Sequence, residues 1–131
     1  MRKFLLFVTL SFILVGCSSN NDVAVNTINS DGLLEQFEEH RLTEESKLYI
    51  DVRETDEFNE SHIEGFTNYP MDGLLEDVSV LPKDKEIVIL CNTQNRSFKV
   101  AEKLVEEGFD EDSITVVEGG ISNWEGPTKD E

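Results

Sequence analysis

Apolar residues along the chain form short strand-like runs that alternate with helix-like patterns. The run at 86–90 has four consecutive apolar residues, which is typical of a strand buried on both faces of a sheet. The clearest helical pattern covers 95–107, where apolar residues share one face and charged residues the other, and Gly108 follows at the usual C′ position. Further β-rich runs lie at 47–52, 113–117, 66–69 and 25–28.

Two shorter helices are predicted between these strands. Ser30 is the expected N-cap of one, and Thr55 is the expected N-cap of the other. Strands that alternate with helices indicate βαβ units, so the pattern predicts an α/β domain with a parallel sheet. With 131 residues, the chain has room for one such domain.

The amino-terminal segment has the pattern of an export signal. Arg2 and Lys3 precede a run of twelve apolar or hydroxyl residues at 4–15, which is shorter than the roughly twenty needed to span a membrane. The run ends in Leu-Val-Gly-Cys at 14–17, which resembles the lipobox of bacterial lipoproteins. The resemblance implies removal of residues 1–16 and lipidation of Cys17.

The lipobox predicts an extracytoplasmic protein that meets a bacterial membrane only through its lipid anchor. Residues 17–27 then form a flexible tether, because they are polar and mostly small. Two other interpretations remain open: an ordinary signal peptide in which Cys17 is incidental, or a short uncleaved anchor.

The charge balance excludes several classes of function. The chain carries 11 basic and 28 acidic residues, a formal charge of −17. A nucleic-acid-binding protein needs a basic face, so we expect no nucleic-acid partner. Two cysteines and two histidines, far apart, also make a zinc site unexpected.

Cys91 is the candidate nucleophile. It directly follows the predicted strand 86–90 and precedes the predicted helix, which places it at the carboxyl edge of a parallel sheet. Free N–H groups and the helix dipole at that helix N-terminus favour a thiolate, and Arg96 adds a fixed positive charge. The alternative is a buried cysteine that acts as a small hydrophobic residue.

Four motifs resemble those of rhodanese (sulfurtransferase) domains. The pattern from Cys91 to Ser97 resembles the active-site loop of that family. The other motifs follow the family order: Asp51-Val52-Arg53 with Glu57-Phe58, the segment 61–66, and the Gly-Gly-x-x-x-Trp segment that ends at Trp124. The resemblance implies a rhodanese-like fold over 28–126, with a five-stranded parallel sheet and helices on both faces. Residues 127–131 are expected to be an acidic tail.

The resemblance also implies a chemistry. Cys91 would take a sulfane sulfur from a small donor as a persulfide and pass it to a thiol or another nucleophile, with no metal or organic cofactor and as a monomer. The expected cradle for the terminal sulfur is the rest of the loop: Asn92, Thr93, Gln94, Asn95, Arg96 and Ser97.

Four charged or titratable residues outside the loop have a structural and a functional interpretation. Asp51, Arg53 and Glu57 are expected to form a structural ion pair that ties a strand to a short helix, although they could line the site. His62 is expected to be a hydrogen-bonded structural residue, although it could be an acid or base. Trp124 is expected to pack in the core, although it could wall the pocket.

Two departures from the family pattern leave alternatives open. Gln94 stands where many family loops have glycine, so we expect it to strain or reshape the loop. The loop also lacks lysine or a second arginine, which weakens thiosulfate as the substrate. A tethered, non-catalytic binding module is one alternative. A phosphatase- or arsenate-reductase-like relative is another, although its loops carry one residue more before the arginine.

Overall fold

The computed structural model describes residues 23–40 and 45–131. The predicted lipobox, with Cys17, and most of the tether lie outside this range. The strands are β1 (Asn26–Ile28), β2 (Lys47–Asp51), β3 (Thr67–Asn68), β4 (Glu86–Leu90) and β5 (Ile114–Val117). The α-helices are α1 (Ser30–His40), α2 (Thr55–Glu60), α3 (Met71–Glu76) and α4 (Asn95–Glu106).

The five strands form one parallel sheet in the order β1-β5-β4-β2-β3. This confirms the predicted fold class. Strand β4 lies at the centre, where Ile89 pairs with Ile50 of β2 and with Val116 of β5. A central parallel strand is covered on both faces, which explains its continuous apolar sequence.

Alternate residues of β4 feed two separate cores. Ile87 and Ile89 pack with residues of α3 and α4 on one face of the sheet. Val88 and Leu90 pack on the other face with Leu33 of α1 and Phe58 of α2. Helices therefore cover both faces, as predicted, and the carboxyl end of β4 lies between two packed layers.

The two short helices are capped one residue earlier than predicted. The side chain of Asn29 accepts a hydrogen bond from the Gly32 N–H at 2.9 Å, so Asn29 caps α1 and Ser30 is already helical. Glu54 is the N-cap of α2, and it forms a capping box with Glu57 in which each side chain accepts the other's backbone N–H. The predictions for Ser30 and Thr55 are therefore wrong by one position.

The carboxyl terminus is attached to the domain. Lys129 exchanges two backbone hydrogen bonds with His62, at 2.8 and 2.9 Å, and the Glu131 N–H donates to the Asn59 carbonyl. Trp124 donates its indole N–H to the Pro127 carbonyl at 3.1 Å. Residues 129–131 thus lie against the end of α2.

A buried ion pair joins β2 to α2. The Asp51 carboxylate is fully buried and accepts two hydrogen bonds from the Arg53 Nε and one, at 2.7 Å, from its Nη2. The same guanidinium donates to the carbonyls of Glu57 and Ser61. Arg53 therefore ties the end of the strand to the far end of the helix.

Removing the charge of Asp51 should destabilise the domain far more than removing the charge of a carboxylate in an exposed ion pair. Asp51→Asn leaves the Arg53 charge buried without its counter-ion, so we expect a loss of about 3–5 kcal/mol in the free energy of unfolding. Glu107→Gln is the control, because it removes one end of the solvent-exposed Lys103–Glu107 pair and should leave the denaturation midpoint nearly unchanged. Equal midpoints for the two variants in urea denaturation would contradict the structural role of Asp51.

Candidate active site

Cys91 follows β4 directly and opens the loop that leads into α4. Only 1% of the residue is exposed, and it packs in the core cluster on the α4 side of the sheet. Gln94 is the N-cap of α4, so the first helical N–H groups lie at the end of this short loop. A buried thiol is thus next to a helix N-terminus, where the helix dipole favours negative charge.

The turn after β5 supports this loop through the main chain. The Ile121 N–H donates to the Cys91 carbonyl at 2.9 Å, and the Ser122 N–H donates to the Asn92 carbonyl at 3.0 Å. The Ser122 hydroxyl also donates to the Asn92 side chain at 3.0 Å. Two consecutive loop residues are therefore held by backbone groups, which do not depend on side-chain identity.

Gly120 allows the turn to approach so closely. Its φ is +57°, and a Cβ built there would collide with the carbonyl oxygens of Cys91 and Thr93. Gly119 also has a positive φ, of +73°. The two glycines therefore meet a backbone and a packing requirement that side chains at these positions would violate.

Gln94 connects the loop to the turn after β5 through its side chain. Its φ of −160° and ψ of −9° lie outside the left-handed region that favours glycine. Its side-chain oxygen accepts a hydrogen bond from the Gly119 N–H at 2.9 Å. Gln94 therefore adds a side-chain contact between loop and turn that glycine could not make.

Arg96 pairs with Glu57, across the sheet edge from the turn. The Arg96 Nη1 donates to Glu57 Oε2 at 2.7 Å, and its Nη2 donates to Oε1 at 3.0 Å. This bond, the backbone N–H of Glu54 and the charges of Arg96 and Arg53 lower the pKa of Glu57 to about 2, against a smaller opposing effect of burial. Glu57 is therefore ionised at neutral pH.

The pairing with Glu57 also affects the pKa of Arg96. The hydrogen bonds that Arg96 donates to Glu57 are the largest cause of the raised pKa of Arg96, and the charge of Glu57 adds to it while burial opposes it. Glu57 therefore pairs with Arg96, and not with Arg53 as the sequence motif predicts. Glu57 and Arg96 are 39 residues apart, and no local pattern in the sequence indicates that two such distant residues pair.

Two further candidate residues take up structural positions. His62 is buried, its Nδ1 lies 2.8 Å from the Phe58 carbonyl, and its ring stacks on that of Phe58 at 3.9 Å. Ser97 is completely buried in the first turn of α4, and within residues 23–40 and 45–131 its hydroxyl has no hydrogen-bond partner. Among the described residues, the loop side chains of Thr93, Asn95 and Ser97 make no hydrogen bond to the turn after β5 or to α2, unlike those of Asn92, Gln94 and Arg96.

A cavity of about 740 Å³ flanks the loop on the β1 and β5 side. Gln94 and Gly119 form its border with the loop, and Trp124 and Phe98 supply apolar surface. Trp124 also packs edge-on against Phe37, so it belongs to both the core and the cavity wall. The charged residues that line this cavity are all acidic: Asp31, Glu118 and Glu125.

The described part of the chain shows no group of three or more metal-ligating side chains. Within residues 23–40 and 45–131, no helix is long and apolar enough to cross a membrane.

The close contact between Gly120 and the loop predicts that a side chain at position 120 lowers the stability of the domain. Gly120→Ala should cost about 2–5 kcal/mol of stability, because a strained left-handed residue is combined with a backbone collision. Gly73→Ala is the matched control: this glycine lies in α3 with no atom within 4 Å of the new Cβ, so the alanine should be neutral or stabilising. Thermal denaturation of both variants is the measurement, and an undisturbed Gly120→Ala variant would contradict the described contact.

Comparison with known proteins places this arrangement in a family. The Rhodanese-like domain family matches residues 33–127. The chain is 36% identical to YtwF of Bacillus subtilis over 105 residues, which cover 80% of this chain and 95% of that protein. It is 31% identical over 85 residues to the thiosulfate sulfurtransferase GlpE of Shewanella oneidensis, covering 64% of this chain and 82% of GlpE.

Solved structures show the same fold. A rhodanese-like domain protein from Staphylococcus aureus superimposes with a TM-score of 0.67 at 28% identity, covering 82% of this chain and 99% of the other. A rhodanese-related protein from Thermoplasma volcanium gives 0.66 at 30% identity, covering 81% and 99%. The family match, these structures and the loop at the end of β4 agree, and the chain belongs to the rhodanese-like domain family.

Proposed function

We propose that this protein is a sulfurtransferase that carries a sulfane sulfur as a persulfide on Cys91. The observation that carries the proposal is the position of the thiol: Cys91 directly follows the central strand and opens a short loop into the N-terminus of the twelve-residue helix α4. Relatives named as sulfurtransferases support the same class of reaction.

The reaction consists of two displacements at sulfur. The Cys91 thiolate attacks the outer sulfur of the donor, a new S–S bond forms, and the donor S–S bond breaks with its electron pair leaving on the donor remainder. For thiosulfate that remainder is sulfite. A thiolate acceptor then attacks the outer sulfur of the persulfide, takes it, and returns Cys91 as a thiolate.

The loop and the start of α4 provide hydrogen-bond donors that can stabilise the persulfide. A persulfide is an anion, and the N–H groups at the start of α4 are donors without helical partners. The turn at 119–122 holds the carbonyls of Cys91 and Asn92, which fixes the direction of the loop backbone. Preorganised donors of this kind lower the barrier because they need no rearrangement during the reaction.

The loop length argues against a phosphatase-like reaction. Four residues separate Cys91 from Arg96, one fewer than in loops that surround a tetrahedral phosphate. The binding-module alternative predicts that Cys91 is dispensable, and the following experiment therefore decides between it and the enzyme.

Cys91→Ser should abolish sulfur transfer, because a hydroxyl is a far weaker nucleophile than a thiolate at neutral pH. The measurement is thiocyanate formation from a sulfane donor and cyanide by the full-length protein. Cys17→Ser is the matched control: it removes the other cysteine of the chain and should retain the wild-type rate. Transfer that survives in Cys91→Ser would refute the assignment.

We also propose that Cys17 is lipidated and holds the domain outside the cytoplasm. The support is the basic start, the short apolar run and the Leu-Val-Gly-Cys ending at residue 17. In a bacterial host, Cys17→Ser should accumulate as a precursor that retains residues 1–16 and incorporates no labelled fatty acid. Normal processing and lipid labelling of that variant would contradict the anchor.

A further inference from the structure

We propose that Glu57 is a specificity-determining residue: by holding the guanidinium of Arg96, it makes the site discriminate against dianionic sulfane donors and favour donors of lower negative charge. The inference rests on the proposed function and names the class of donor. It starts from the bond between the cation of the loop and a carboxylate outside the loop.

Glu57 occupies the edge of the Arg96 guanidinium that is best suited to bind an anion. Both terminal nitrogens donate to the two oxygens of one carboxylate, at 2.7 and 3.0 Å. This forked arrangement is the one in which arginine binds carboxylates and oxyanions. A sulfonate or thiosulfate group that needs the same two donors must therefore compete with Glu57.

Glu57 can compete with an anionic donor for Arg96 because contacts within and next to α2 hold its carboxylate in place without Arg96. Its Oε2 also accepts the Glu54 N–H at 2.9 Å in the capping box. Its backbone carbonyl accepts from Arg53, whose charge is already satisfied by Asp51. The carboxylate is thus fixed in place before any donor arrives, while 39% of its side chain remains exposed.

Among the described residues of the loop and the neighbouring cavity, no other free basic side chain stands in for the paired Arg96. Arg96 is the single basic residue of the loop 91–97. Arg53 is buried against Asp51, and the neighbouring cavity is lined by three acidic residues and no basic one. The local field therefore repels a dianion more strongly than a monoanion.

Two sulfur donors differ in charge but react with Cys91 in the same way. Thiosulfate is a dianion and benzenethiosulfonate is a monoanion, and each gives the same cysteine persulfide. In both reactions the Cys91 thiolate bonds to the outer sulfur while the electron pair of the broken S–S bond leaves on sulfite or on benzenesulfinate. A change in the preference between them thus reports the electrostatics of the site and not the identity of the intermediate.

The test is Glu57→Gln in the full-length protein, compared with wild type for both donors. The amide oxygen can still accept the Glu54 N–H, but the charge that holds Arg96 is gone. We expect kcat/KM for thiosulfate to rise by roughly ten- to hundredfold, mainly through a lower KM, which is the scale of one charge-assisted hydrogen bond. The value for benzenethiosulfonate should change much less.

Asp56→Asn is the matched control, because it removes the same charge from the neighbouring, exposed position of α2. It should leave the ratio of the two donors unchanged. In the double variant Glu57→Gln/Arg96→Ala, the gain for thiosulfate should disappear, since the freed guanidinium is its source.

Three outcomes would overturn the inference: an unchanged donor ratio in Glu57→Gln, an equal fall in kcat for both donors, or the same shift in Asp56→Asn. Each of these leaves the sulfurtransferase assignment intact, because the wild type still transfers sulfur. A wild type that transfers sulfur from neither donor would instead refute the proposed function, and the inference with it.

Discussion

The rest of the site depends on the main-chain contact between the turn at 119–122 and the loop that begins at Cys91. Two backbone hydrogen bonds and the absence of a side chain at Gly120 let the two segments lie against each other. Strand β5 positions the turn and the adjacent strand β4 positions the loop, so the register of the parallel sheet sets the relation between them. The thiol therefore occupies a fixed position at the start of α4.

On the opposite side of the loop, charges are arranged in two pairs that share α2. Asp51 and Arg53 are buried and connect the sheet to the helix, whereas Glu57 and Arg96 are partly exposed and connect the helix to the loop. The first pair fixes where α2 lies, and the second uses that position to hold the cation of the loop. Structural support and site electrostatics are thus linked through a helix of six residues.

The sequence was sufficient for the fold class, because apolar runs and helical periodicity are local and the family motifs occur in order. The location of Cys91 could be predicted from the same pattern, because a residue that follows a buried parallel strand lies at the carboxyl edge of the sheet. Three features could not be predicted: the pairing of Glu57 with Arg96, the side-chain role of Gln94, and the helix α3. The first two depend on contacts between distant segments, and α3 is a six-residue helix with a weak pattern after Pro70.

We propose that Cys91 accepts a sulfur atom covalently. Intact mass spectrometry of the full-length protein after treatment with a sulfane donor tests it most directly, followed by peptide mapping and by incubation with a thiol. We expect the wild type to gain one sulfur atom on Cys91, which the thiol then removes, and we expect no gain in Cys91→Ser. An unmodified Cys91, or a sulfur that the thiol does not remove, would contradict it.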